Sequence, residues 1–191
     1  MGDSQQPQDS EEIPPKEWKK IIDNPLKELA LFDIDQFKNQ FLDHPKIQDF
    51  INWTGEGYNM LGVSVALWRT DIAKLLLEHG ADVNIPNKNG WTPLFSAIEH
   101  DDIDTMKLFL EKGAKVNNVR TDGFQRTPLI LAAMNGHTEI VQLLLEEEAD
   151  TTCVDFFELT ALMHADREGH AEIVKFLKEK EEEHSGLEEV K

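Results

Sequence analysis

Residues 127–145 read TPLILAAMNGHTEIVQLLL, and this stretch decides the fold because the chain repeats it. The opening recurs at spacings of 33, 35 and 33 residues, as Asn59-Met60-Leu61, Thr92-Pro93-Leu94, Thr127-Pro128-Leu129 and Thr160-Ala161-Leu162. The apolar second half recurs at matching offsets, as residues 72–77, 105–110, 140–145 and 173–178. A period near 33 residues predicts a solenoid of stacked helix pairs. The surface of such a solenoid usually binds other proteins.

The composition excludes several classes of protein. The chain has 191 residues and a formal net charge of −18. Such an acidic body repels phosphate backbones, so we expect a protein partner, with a basic one favoured, and no nucleic acid. No apolar run approaches the ~18 residues of a membrane span, no secretory signal is recognised, and the lone Cys153 suits a reducing compartment. The expected location is the cytoplasm or the nucleus.

Each repeat carries the start and stop signals of two helices. Asn59 and the three equivalent threonines are good N-caps, because a short side-chain oxygen accepts a bond from an unpaired helix N–H. Small residues at one equivalent position, Ser64, Ala97, Ala132 and Ala165, predict close approach of neighbouring first helices. After the second helix, Gly80 and Gly113 suit a left-handed C′ position, where the third repeat has Glu148.

The two ends of the chain differ from the middle. Polar, acidic residues 1–16 predict a disordered N-terminus, and residues 17–52 predict helices that form a cap or a degenerate repeat. The repeat domain is predicted over residues 53–180, divided as about 53–85, 86–118, 119–153 and 154–180, and residues 181–191 predict an acidic tail. Lys178 replaces the leucines that end the earlier second helices, which indicates an outer face that meets water.

These pieces resemble the ankyrin repeat family. The resemblance rests on the Thr-Pro-Leu openings, on residues 135–141 (NGHTEIV) and on residues 80–84 (GADVN), and it covers residues 55–180. It implies an all-α solenoid of four helix-pair repeats with short hairpin fingers, preceded by N-terminal capping helices. The histidine that often follows Thr-Pro-Leu is absent in all four repeats, and Trp68 stands where the family usually has an interhelical glycine.

The resemblance implies a binding surface made of the hairpin tips and the concave side of the first helices. The aromatic tips form the most specific part, because exposed rings beside an arginine have the composition of interface hot spots. Alternatively, the rings of Phe156 and Phe157 pack against neighbouring fingers. The predicted protein-binding residues are Tyr58, Lys88, Asn89, Trp91, Glu99, His100, Phe124, Arg126, Met134, Asn135, Phe156, Phe157 and Arg167.

No catalytic, metal-binding or cofactor-binding residue is predicted. His100 with Asp101, Asp102 and Asp104 fits a turn before a helix, where the helix dipole favours aspartate, better than a metal site. There is no glycine-rich phosphate loop and no nucleophile elbow. The acidic neighbours of Cys153 do not lower the pKa of a thiol.

The sequence therefore predicts a non-catalytic protein–protein interaction module, an adaptor, scaffold or inhibitor that is monomeric when free. The alternatives are a structural subunit of a permanent complex and an enzyme whose site has no recognisable motif. Asn84 and Asn117 lie in loops that, in this family, can resemble substrates of asparaginyl hydroxylases. The other interpretation is that each asparagine bonds its own turn.

Overall fold

The structure, a computed structural model, describes residues 25–31, 33–43, 47, 51–52, 54 and 59–188. The expected disorder of residues 1–16 and the predicted site residue Tyr58 lie outside the described residues. Within the described part the chain is all-α and contains no β-strand, as the repeat pattern predicts.

Four helix pairs follow one another at the predicted period. The first helices are α3 (Met60–Ala66), α5 (Pro93–Glu99), α7 (Pro128–Asn135) and α9 (Ala161–Glu168). The second helices are α4 (Thr70–Glu78), α6 (Ile103–Glu111), α8 (Thr138–Glu146) and α10 (Ala171–Glu188). Each first helix packs on its own second helix and on the next first helix, which gives a linear stack.

Within residues 25–43 the structure describes two short helices ahead of this stack, α1 (Pro25–Leu31) and α2 (Ile34–Phe37), and a π-helical turn, Lys38–Leu42, continues α2. α1 packs against α3 and α2 packs against α4, so both cover the first repeat. Phe37 and Phe41 are buried, and the guanidinium of Arg69 donates to the Leu29 carbonyl at 3.0 Å.

The helix starts follow the predicted capping with one exception. The side-chain oxygens of Asn59, Thr127 and Thr160 accept from the backbone N–H groups three residues on. Thr92 occupies the same cap position, but its hydroxyl is buried and has no hydrogen-bond partner. Three caps are therefore confirmed, and the side chain of Thr92 makes no capping hydrogen bond.

The core follows the repeat. The four small residues at the equivalent first-helix position, Ser64, Ala97, Ala132 and Ala165, are fully buried, as expected for close helix packing. In the second helix of the third repeat the fully buried leucine is Leu144. Leu143, which the sequence analysis groups with the apolar core, is only partly buried.

Several turns use a left-handed backbone without glycine. Glu148 has φ 59°, the conformation of its equivalents Gly80 and Gly113, so the predicted C′ role is confirmed. Trp68 has φ 58° and Asp101 has φ 53°, where the third and fourth repeats have Gly136 and Gly169. Since a side chain in this region costs roughly 1–2 kcal/mol, these turns carry strain that glycine would relieve.

The last second helix is longer than its equivalents. α10 spans 18 residues, whereas α8 spans 9. The helix continues past the predicted repeat boundary at residue 180 into the segment predicted as an acidic tail. Lys178 is exposed and its equivalent Leu145 is buried, so the second-helix side of the terminal face is polar.

Candidate functional site

Three loops connect one repeat to the next and form the candidate site. We call them finger A (residues 79–92), finger B (residues 112–127) and finger C (residues 147–160). A backbone hydrogen bond closes each finger, from Asn87 to Trp91, from Arg120 to Arg126 and from Asp155 to Leu159, at 3.0–3.1 Å. The bond in finger B spans two more residues than the others, so the two extra residues of the 35-residue spacing between Thr92 and Thr127 lengthen this finger.

Adjacent fingers are joined in a regular register. The N–H of Thr121 in finger B donates to the Asn89 carbonyl of finger A at 2.9 Å. The N–H of Phe156 in finger C donates to the Phe124 carbonyl of finger B at the same distance. Asn89, Phe124 and Phe157 therefore occupy equivalent positions in the three fingers. The carbonyls of Asn89 and Phe124 accept a backbone hydrogen bond, whereas no donor among the described residues meets the Phe157 carbonyl.

The aromatic ring of finger A is held in place. Trp91 is half buried, its indole N–H donates to the Ser96 hydroxyl at 2.9 Å, and its ring lies 5.7 Å from that of buried Phe95. The Arg120 guanidinium covers the ring at 4.2 Å from its centroid. The expected outward Trp91 thus lies packed against the core, and its role in binding stays a prediction.

Arg120 links finger A to finger B. It forms an ion pair with Asp122, and burial lowers the pKa of its guanidinium, with the nearby charge of Arg126 acting in the same direction. The sequence analysis did not select Arg120. The available signal was its place in finger B, next to the two extra residues.

Fingers B and C present an exposed group of rings, which we call the aromatic cluster: Phe124, Phe156 and Phe157. They are 44%, 62% and 57% exposed. The centroid of Phe157 lies 6.4 Å from that of Phe124 and 5.4 Å from that of Phe156, and Arg126 lies over Phe124 at 4.8 Å. Both open alternatives hold in part, since the rings contact one another and still leave about half their surface in water.

A buried pair fixes the shape of finger C. One carboxylate oxygen of Asp155 accepts from the N–H groups of Phe157 and Leu159, and the other lies 2.9 Å from Nε2 of His164. Burial acts to raise the pKa of Asp155, but the hydrogen bonds from His164, Leu159 and Phe157 outweigh it, and the pKa lies below its usual range. The sequence analysis selected neither Asp155 nor His164.

The remaining predicted residues lie around these fingers. Lys88 and Asn89 are exposed at the tip of finger A, Glu99 and Asn135 are exposed on the first helices, and Met134 is half buried. Arg167 is exposed. The His100 ring lies edge-on to that of Trp68 at 5.8 Å, and its Nδ1 lies 2.9 Å from the Ser96 carbonyl.

Asn84 and Asn117 join successive fingers. The amide oxygen of Asn84 accepts from the Lys115 N–H at 2.8 Å, and that of Asn117 accepts from the Asp150 N–H at 2.9 Å. Asn52 makes the same contact with the Asp82 N–H at 2.7 Å. Each side chain therefore bonds the next loop, whereas the sequence analysis offered a bond to its own turn.

Nothing among the described residues resembles a reaction centre. No group of histidine, cysteine and carboxylate side chains there could hold a metal ion. One groove, of about 670 Å³, is lined by residues 148–152 with Lys180 and Glu181, and contains no predicted site residue. Burial and the charge of Asp150 raise the pKa of the Cys153 thiol, which makes it a poor nucleophile. No described helix combines the length and apolar character of a membrane span.

The comparisons with known proteins agree with this architecture. A family model described as ankyrin repeats (3 copies) matches residues 30–120 and 117–186. The chain belongs to the ankyrin repeat family. Repeats of this family are generally protein–protein interaction modules, and its members are typically non-catalytic.

Among the similar proteins is protein fem-1 homolog A-like of Mus musculus, 35% identical over 92 residues, 48% of this chain and 14% of that protein. Ankyrin repeat and SOCS box protein 3 of Bos taurus is 31% identical over 103 residues, 53% of this chain and 20% of that protein. Neurogenic locus notch homolog protein 1 of Xenopus tropicalis is 34% identical over 117 residues, 56% of this chain and 5% of that protein. The matched part thus spans at most a fifth of each of these relatives.

Proposed function

We propose that this chain is a non-catalytic adaptor, scaffold or inhibitor that binds a protein partner through fingers B and C and the adjoining first helices. The observation that carries the proposal is the aromatic cluster, in which three rings keep about half their surface exposed beside Arg126. Aromatic rings and arginine dominate the energy of protein interfaces. The rings bury large areas and lose little rotamer freedom, and the arginine guanidinium adds a planar set of donors.

The rings of this surface differ in how far they are already occupied. Trp91 and Phe124 are both among the predicted binding residues, but the Trp91 indole is already hydrogen-bonded and covered by Arg120. Phe156 and Phe157 have no such cover. We therefore place the main anchors in fingers B and C, and Lys88, Asn89 and Glu99 at the rim.

The charge of the chain favours a basic partner. We place their encounter in the cytoplasm or the nucleus. A net charge of −18 steers positive surfaces toward the protein over a distance of about one Debye length. The association rate should therefore fall as salt is raised, while the dissociation rate depends mainly on the buried rings.

The test is affinity capture from the source cells with three versions of the full chain. The wild type and Leu31→Ser, which removes an exposed apolar residue from α1, should retain the same partner. The double variant Phe124→Ser/Phe156→Ser should lose it while keeping its circular dichroism and melting temperature. Retention of every captured protein by the double variant would contradict the proposal.

The proposal is also separated from its alternative, a subunit of a permanent complex. An adaptor of this size should be monomeric in light scattering without its partner. It should also unfold reversibly in a urea titration. A chain that aggregates or stays unfolded until its partner is added would favour the permanent complex.

A further inference from the structure

The terminal face of the stack has two unlike halves. On the second-helix side, exposed Lys178 replaces buried Leu145, which is the substitution expected where a helix meets water. On the finger side no such replacement occurs. Met163 is 51% exposed, whereas its equivalents Ile130 and Phe95 are 1% and 0% exposed.

The finger side also keeps an open backbone position. In the preceding fingers the carbonyls of Asn89 and Phe124 accept N–H groups from the following finger. The equivalent carbonyl of Phe157 has no donor among the described residues, and the rings of Phe156 and Phe157 stand beside it. We call Phe156, Phe157, the Phe157 carbonyl and Met163 the terminal finger face.

We propose that the terminal finger face binds an extended segment of a partner protein, which continues the stack as a further finger would. Its backbone N–H donates to the Phe157 carbonyl, and its apolar side chains cover Phe157 and Met163. This proposal rests on the proposed function and names the chemistry of the partner at one part of the surface.

The preceding fingers show what the occupant must look like. On finger B the occupant is finger C, a turn that supplies one N–H at 2.9 Å and a ring 6.4 Å from Phe124. A partner segment that adds main-chain hydrogen bonds and places alternate side chains in apolar sites has the same chemistry as strand addition to a sheet edge.

Charge selects among the candidate occupants. A second copy of this chain would bring another −18 to the same face. Exposed Glu158 and Asp166 flank the face, so lysine or arginine beside the apolar residues of the segment complements it. We therefore assign a neutral or basic extended segment, and self-association counts against the proposal.

A phage-displayed library of random peptides of about twelve residues, panned on the full chain, supplies the probe. Enriched peptides should combine adjacent aromatic or aliphatic residues with lysine or arginine. Met163→Lys, which copies the Leu145-to-Lys178 replacement, and Phe157→Ser should each weaken an enriched peptide by about tenfold or more. Leu31→Ser, the control variant, should change its affinity less than about twofold.

The backbone bond has its own readout. The backbone nitrogens of an enriched peptide are methylated one at a time. At most positions the affinity should stay within about threefold, and at one position it should fall by about tenfold or more. A photo-crosslinker at that position should label finger C.

Three results would overturn the proposal: no enriched peptide, peptides indifferent to both terminal variants, or dimerisation that Met163→Lys abolishes. The outcome is separable from that of the proposed function. A cellular partner that needs Phe124 but ignores Met163→Lys and Phe157→Ser leaves the adaptor function intact and removes the terminal finger face.

Discussion

Fingers A and C have the same closing hydrogen bond, yet they use their aromatic rings in opposite ways. In finger A the Trp91 ring is fixed by Ser96 below and Arg120 above. In finger C the rings of Phe156 and Phe157 stand in water, while buried Asp155 and His164 fix the backbone beneath them. A ring in a finger is therefore available to a partner only where no neighbouring side chain covers it and other contacts, such as the Asp155–His164 pair, hold the loop.

The largest expected effect comes from removing the buried carboxylate of finger C. Asp155→Ala leaves the N–H groups of Phe157 and Leu159 and the ring of His164 without their acceptor. Each buried unsatisfied polar group costs about 1–3 kcal/mol, so we expect a loss of roughly 2–4 kcal/mol in the free energy of unfolding, measured by urea titration. Glu158→Ala, an exposed neighbour, is the control, and equal losses in both variants would show that Asp155 does not hold the finger.

The next effect separates the two kinds of ring. Trp91→Ala removes a half-buried side chain and one hydrogen bond and should lower stability by about 2 kcal/mol. Phe157→Ala removes an exposed ring and should change stability by less than about 0.5 kcal/mol. Thermal and urea unfolding of both variants measures the difference, and a larger loss for Phe157→Ala would reverse the assignment of roles.

A smaller effect concerns the turns that lead into the two fingers. Gly80 is the second residue of finger A and has φ 92°, whereas Glu148 holds the equivalent left-handed position in finger C. Glu148→Gly should therefore raise stability by about 1 kcal/mol, and the reciprocal Gly80→Ala should lower it by a similar amount. The midpoint of urea unfolding measures both changes. Unchanged midpoints in Glu148→Gly and Gly80→Ala would contradict a cost of the left-handed backbone at these positions.

The smallest effect is a difference in pH dependence. Folding lowers the pKa of Asp155, so its stabilisation is present above the unfolded value of about 3.9 and is lost as pH falls through the folded pKa. Asp155→Asn does not titrate at this position. Between about pH 7 and about pH 3 the variant should lose less stability than the wild type. An identical loss in both proteins would contradict the pKa direction.

The repeat pattern predicted the helices well for a physical reason. Period, capping residues and small residues are local signals, and they placed Thr127, Ala132 and Glu148 in their observed roles. Contacts between loops are not local. The partners that decide whether a ring is covered, Arg120 for Trp91 and the next finger for Phe124, lie in the following repeat, so composition at the tips alone could not distinguish Trp91 from Phe157.

Other features of the site were readable only in part. Asp155 at a turn is a recognised signal for bonding to the backbone, but the distance that joins it to His164 depends on how α9 packs. Met163 stands directly after the opening of the fourth repeat, where the family's histidine is absent, and its exposure follows only from the lack of a covering neighbour. His100 is predicted on the binding surface from its position on a first helix, and the contact of its ring with Trp68 in the preceding repeat was not readable from that position.

The asparagines that join successive loops have a mechanical consequence. Asn52, Asn84 and Asn117 each tie one loop to the next through a backbone N–H, with the same geometry at each step. At each step the tie acts beside the packed helices and, between the fingers, the backbone bonds of Thr121 and Phe156, so these contacts share the load of a pull along the stack. Successive interfaces act in series, and their small extensions add.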